Sequence, residues 1–191
     1  MVVGVVGKTC SGKNYVCNLL EKRGYHMIDL DVIGHEALKD CRLEIIKTFG
    51  QDIVDSEGNI DRKILGDLVF SSKNKLKKLE NISFPYIRLK VEEELDRFDL
   101  CAVNGAVIQR GGFDKYCQYI LFVESSVETR WQRSKKRDKI SREAFMKRDA
   151  AQKDVVSNSS CYSCPVIVIE NDIDSEIIRQ VYSFCDKIEN R

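Results

Sequence analysis

The chain has 191 residues, with 31 lysines and arginines against 30 aspartates and glutamates, and 43% of it is hydrophobic. That length suits one α/β domain with a modest insertion, and the composition can bury a core. The balanced charge excludes the basic excess of a general nucleic-acid or membrane-surface binder.

The opening apolar run, residues 1–6, is too short for a signal segment and leads straight into a glycine-bearing turn. No export or membrane-spanning segment is expected, and the cytoplasm is the expected location. The eight cysteines are therefore expected to be reduced and often buried. Cys161 and Cys164 have metal or redox spacing, but no second pair follows and no histidine lies near, so the spacing reads as coincidence.

Residues 2–6 form a continuous apolar run before Gly7, which predicts a strand buried on both faces of a parallel sheet. Val16, Leu19 and Leu20 recur at helical spacing, and Gly24 ends that helix before a second strand over 25–28. Strand, glycine loop, helix and strand make one βαβ unit.

Residues 32–98 read as almost wholly helical. Ile64, Leu65, Leu68 and Val69 form one apolar stripe; Ile87, Val91, Leu95 and Phe98 form another, with Pro85 in the first turn of its helix. A polar stretch over 55–59 contains Gly58 and separates two of these helices.

Further strands are predicted at 100–103, 119–123 and 166–169. Ile177, Ile178, Val181, Phe184, Cys185 and Ile188 predict an amphipathic closing helix with Asp174 or Ser175 as its cap. Five buried strands with helical connections predict a doubly wound, five-stranded parallel α/β sheet whose ligands sit at the strands' carboxyl ends.

Gly7, Lys8, Thr9, Cys10, Ser11, Gly12, Lys13 and Asn14 nearly match the phosphate-binding loop pattern. Glycines let successive backbone N–H groups turn around a phosphate, and the following helix adds its positive end. Lys13 supplies a point charge able to follow the β- and γ-phosphates. Asn14 stands where Ser or Thr normally meets Mg²⁺, and its amide oxygen can also bind that ion.

Asp29 and Asp31 close the second strand. A carboxylate there can accept the proton of an attacking hydroxyl or hold water around a metal, or it can cap the next helix. Nine basic residues lie within 130–148, among them Arg130, Arg133, Lys136, Arg137 and Arg148. Such a run serves as a solvated helix face, less often as a nucleic-acid patch, or, after a strand in a kinase of this loop type, as a lid neutralising the transferred phosphoryl group.

Several motifs together resemble the dephospho-coenzyme A kinase family over nearly the whole chain. Gly12-Lys13 is followed by Gly24 and Met27-Ile28-Asp29-Leu30-Asp31. Phe49-Gly50, Gly58-Asn59-Ile60-Asp61-Arg62, Leu65, Val69-Phe70, Leu79-Glu80, Pro85 and Ile87 resemble the family's helical region. Arg133, Arg137-Asp138 and Arg148-Asp149-Ala150-Ala151-Gln152 resemble its lid, and Ile169-Glu170-Asn171 its last strand and turn. Phe84 stands where the family has His, and residues 103–109 replace a segment that carries two acids.

The resemblance implies a P-loop kinase fold with a helical substrate-binding insertion over 32–98 and a helical lid over 125–155. It implies ATP and Mg²⁺ as cofactors and dephospho-coenzyme A as substrate. The charge balance predicts no nucleic-acid or membrane partner, and the sequence leaves the oligomeric state open, with a monomer slightly favoured. Lys13, Asp31 and Arg137 are the implied catalytic residues, with Asp31 the base acting on the 3′-hydroxyl. Gly7 to Asn14, Tyr15, Arg133, Arg137 and Asn171 are the implied nucleotide contacts, with Asn14 at the metal. Another small-molecule kinase of this loop type, or a nucleotide-binding protein with impaired catalysis, is the alternative.

Overall fold

Five short apolar runs become five strands: β1 (Val2–Val6), β2 (His26–Asp29), β3 (Cys101–Asn104), β4 (Tyr119–Glu124) and β5 (Val166–Glu170). They form one all-parallel sheet in the order β2-β3-β1-β4-β5. Val5 lies opposite Asn104 of β3 and Leu121 of β4, so the end of β1 opens at the centre of the sheet's carboxyl edge. The helices among the described residues are α1 (Lys13–Glu21), α2 (Leu30–Asp40), α3 (Arg42–Phe49), α4 (Arg62–Phe70), α5 (Lys73–Leu95), α6 (Val127–Asp138), α7 (Arg142–Ala151) and α8 (Ile177–Glu189).

A computed structural model describes residues 1–172 and 176–189. Two units divide the chain: Met1–Ile28 with Phe98–Arg191, and Asp29–Arg97. In the first, Val3, Val5, Leu121, Val123 and Ile169 pack with Val16, Leu19 and Leu20 of α1 and with Val181, Phe184 and Cys185 of α8. The expected cap residues Asp174 and Ser175 lie outside the described residues. Ile178, expected on the buried stripe of α8, is exposed; Ile177, Val181, Phe184 and Cys185 make the buried seam, with Ile188 packed against it.

The second unit is helical around Ile45, Ile53, Leu65 and Val69. Ile64 is exposed, so its stripe narrows to Leu65, Leu68 and Val69. The polar stretch at 55–59 is a tight turn, closed by Val54 and Ile60 in an antiparallel bridge. The Asp55 carboxylate accepts the N–H groups of Glu57 and Asn59 there.

Pro85 does not start a helix; it lies inside α5. The ring removes one ladder donor, yet both halves of α5 are anchored. Leu76, Leu79 and Ile82 pack on the unit's core before the proline, and Ile87 and Val91 are buried after it. Phe98 is not part of the α5 stripe either, because the helix ends at Leu95. Its ring instead stacks on His26, with centroids 3.7 Å apart.

Among the described residues no helix is long and apolar enough to cross a membrane. All eight cysteines are free thiols, and no group of three or more His, Cys, Asp or Glu among the described residues could hold a metal. The segment carrying Cys161 and Cys164 is held by Asp114, whose carboxylate accepts the Ser163 N–H at 2.8 Å and Oγ–H at 2.7 Å.

Candidate active site

Between β1 and α1 the backbone turns through two left-handed residues, Cys10 at φ 61° and Gly12 at φ 100°. Backbone that changes hand this way points successive N–H groups into one concavity, a nest for an anion. Gly12 is the N-cap of α1, with no side chain capping the helix and no acid in the first turn. By contrast, α2, α4, α6 and α7 begin on capping side chains: Asp29, Asp61, Ser126 and Ser141. The positive end of α1 therefore faces the loop without a built-in anion. Lys13 opens that helix and its Nζ donates to the Gly7 carbonyl at 2.8 Å, keeping the ammonium over the loop.

The second half of the loop is held through the Ser11 carbonyl. It accepts from Asn171 Nδ2 at 2.7 Å and Arg133 Nη1 at 3.1 Å. Ser125 Oγ lies 3.0 Å from the same oxygen and 2.7 Å from the Asn171 carbonyl, and its single proton can serve either. Arg133 Nη2 also donates to the Asn171 carbonyl at 2.8 Å. Thus Arg133 and Asn171, both expected as nucleotide contacts, are placed where they brace the loop's backbone. Ser125, which sequence reasoning missed, joins them; being the residue just beyond a strand's carboxyl end was its only signal.

A cavity of about 600 Å³ opens on this loop. Cys10, Gly12 and Asn14 line it together with four cations, Lys13, Arg133, Lys136 and Arg137, and no carboxylate. A concentration of positive charge beside a helix N-terminus suits a polyphosphate. A larger cavity of about 950 Å³ is bounded by Lys8, Ser11 and Arg130 but also by Glu124, Glu170 and Asp172. Its carboxylates would repel a phosphate chain, so the smaller cavity is the candidate anion site. Tyr15 is exposed on α1 and lines neither cavity.

The basic cluster divides by its partners. Arg130 is 3% exposed and pairs with Asp149 at 2.6 Å, its guanidinium lying over the Phe145 ring. Arg142 and Lys147 pair at the surface with Glu128 and Glu143. Arg137 grips Asp138 with two bonds, Nε–Oδ1 at 2.7 Å and Nη2–Oδ2 at 3.0 Å, and Arg148 reaches the same carboxylate at 3.1 Å. The Arg137 hydrogen bonds hold the Asp138 carboxyl below its ordinary range and raise the guanidinium. Hence Arg137 stays charged and oriented at the cavity.

Breaking the inner pair should cost far more than breaking a surface one. Asp149→Ala leaves the Arg130 guanidinium buried without its carboxylate, which costs about 3 kcal/mol. Urea unfolding should show that loss, whereas Glu143→Ala should change stability by less than about 1 kcal/mol. Equal, small changes in both would show that the Arg130–Asp149 pair carries no special weight.

Asp29 ends β2 and caps α2: its Oδ1 accepts the N–H groups of Asp31 at 2.8 Å and Val32 at 3.3 Å. The capping alternative is therefore realised at Asp29, while Asp31 sits exposed in the first turn of α2. Asn104 ends β3 and is buried, Gln109 is exposed in the turn that follows, and Phe84 is half-buried in α5.

The family model described as dephospho-CoA kinase matches residues 1–176. A dephospho-CoA kinase of Fusobacterium nucleatum is 37% identical over 196 aligned positions, covering 98% of each chain. Among solved structures, a Thermus thermophilus protein superposes with a TM-score of 0.81 at 27% identity, covering 100% of this chain and 96% of that one. A dephospho-CoA kinase from Campylobacter jejuni gives 0.66 at 25% identity, covering 99% and 97%. With its glycine loop, its bracing arginine and a match that runs along almost all of its length, the chain belongs to the dephospho-CoA kinase family.

Proposed function

We propose that this chain transfers the γ-phosphate of ATP to the ribose 3′-hydroxyl of dephospho-coenzyme A, giving coenzyme A. The observation that carries the reading is the carboxylate-free, four-cation cavity on the glycine loop, in a chain of this family. The residues present fit a nucleotide triphosphate. Lys13 and the first-turn amides of α1 would hold the phosphates, and Arg133, Lys136 and Arg137 would meet their charge. Asn14, also on the cavity wall, would offer one amide oxygen to a Mg²⁺ otherwise held by phosphates and water. When bound, that ion supplies charge neutralisation at the β- and γ-oxygens.

Asp31 is the proposed base. Asp29 Oδ1 accepts two N–H groups as the cap of α2, and the exposed place of Asp31 in the first turn of that helix supports Asp31 in the role. The 3′-hydroxyl proton passes to the Asp31 carboxylate as its oxygen attacks the γ-phosphorus and ADP leaves. The helical unit Asp29–Arg97 is proposed to bind the pantetheine-bearing substrate, and α6 and α7 to act as the lid.

A coupled ATP-consumption assay tests the reading. Turnover is expected with dephospho-coenzyme A and Mg²⁺ and not with nucleoside monophosphates; no substrate-dependent turnover at saturating Mg²⁺ would end it. Asp31→Asn should lower kcat about a hundredfold while ATP affinity stays within twofold, roughly the loss expected of a general base. An Asp31→Asn variant with wild-type kcat would remove Asp31 from the role.

A further inference from the structure

The phosphate loop is braced from two sides, and only one brace runs through the β5 turn. On the other side the Thr9 N–H, part-buried, donates to Gln152 Oε1 at 2.7 Å. Beside it Lys8 Nζ lies 3.9 Å from Asp149 Oδ1, the carboxylate already held by Arg130. Gln152 is the C-cap residue of α7. Its own backbone is fixed, its N–H donating to the Asp149 carbonyl at 3.0 Å and its carbonyl accepting from Val155 at 3.1 Å. The side chain is therefore presented by the end of a helix rather than by a loose surface segment.

This contact decides which way the first half of the loop faces. A part-buried amide must find an acceptor, and Thr9 finds it outside the loop, in Gln152. The Ser11 N–H closes back on the Lys8 carbonyl at 3.1 Å. With those two amides directed away, the left-handed turns at Cys10 and Gly12 are free to form the concavity. We infer that Gln152 is a positioning residue, which fixes the phosphate loop to α7 and so ties nucleotide affinity to the position of that helix. The inference deepens the kinase reading and rests on it for the nucleotide.

Two substitutions separate the hydrogen bond from the bulk of the side chain. Gln152→Met keeps the length and removes the acceptor; Gln152→Glu keeps an Oε acceptor. Losing the acceptor of a part-buried donor is expected to raise the KM for ATP about tenfold. The KM for dephospho-coenzyme A should stay at its wild-type value, with kcat changed less than twofold. Gln152→Glu should recover most of the ATP affinity, a rescue that a purely space-filling role does not produce.

Amide exchange followed by NMR gives a second measure on the wild-type protein, independent of whether either variant folds. The Thr9 N–H should be protected there and lose that protection in Gln152→Met. An unprotected Thr9 amide in the wild type would overturn the inference, as would a Gln152→Met variant with wild-type ATP KM. Equal ATP defects in the Met and Glu variants would also overturn it. Absence of turnover in the wild type would instead count against the kinase reading, since Thr9 protection is measured without substrate.

Discussion

Lys13→Ala is expected to lower kcat about a thousandfold, the upper end of what a single preorganised charge contributes to a transition state. Lys13 is the first residue of α1, and its Nζ reaches back to the Gly7 carbonyl across the loop, so the charge lies over the nest rather than out in solvent. In transfer of a phosphoryl group, negative charge shifts toward the bridging and leaving oxygens, and an ammonium following them binds the transition state more tightly than the ground state. Truncation should therefore appear mainly in kcat, with ATP affinity falling less. Lys13→Arg should not rescue, because a planar fork cannot occupy the place of a compact point charge. The fold should hold, since Lys13 lies outside the buried core, and the melting temperature should move by no more than about 2 °C. A Lys13→Ala enzyme with wild-type kcat would remove this lysine from catalysis.

How far the site could be read from the sequence follows from how local each contact is. The loop's glycines and Lys13 lie within a few residues of one another, so their geometry is written in their spacing. The strands were legible for a related reason: a strand buried on both faces is a continuous apolar run, and all five were anticipated to within a residue or two of their ends. The braces were not legible. Ser125 meets the Ser11 carbonyl from 114 residues away, and Gln152 meets Thr9 from 143; nothing in the local pattern names either pair. Within the basic cluster, Arg130 and Arg137 look alike as sequence, and only the placement of Asp149 and Phe145 buries one while Asp138 orients the other. Pro85 and Phe98 were misplaced because a first-turn preference and a helical period are local rules. Packing on both sides of the proline, and the ring of His26, outweigh them.

Gly12→Ala should weaken nucleotide binding by about 4 kcal/mol, roughly a thousandfold at 1.4 kcal/mol per decade, for two separable reasons. The residue holds φ 100°, a conformation that costs a side chain on the order of 1–2 kcal/mol. A Cβ built there would also lie 2.0 Å from Asn171 Nδ2, too close to coexist with it. Asn171 is buried and uses that nitrogen to hold the Ser11 carbonyl at 2.7 Å. Pushing it aside forfeits the brace and leaves a buried carbonyl with fewer donors, at a cost of about 1–3 kcal/mol. The two causes part company in a double-mutant cycle. Asn171→Gly alone removes the brace, and added to Gly12→Ala it also removes the obstacle. The double variant should then bind nucleotide more tightly than the sum of the single losses predicts, by at least about 1 kcal/mol. What remains lost is the backbone term, which no change at Asn171 can relieve. Losses that simply add would mean the methyl group is accommodated without displacing Asn171, and that the strained φ alone requires glycine at the mouth of the phosphate loop.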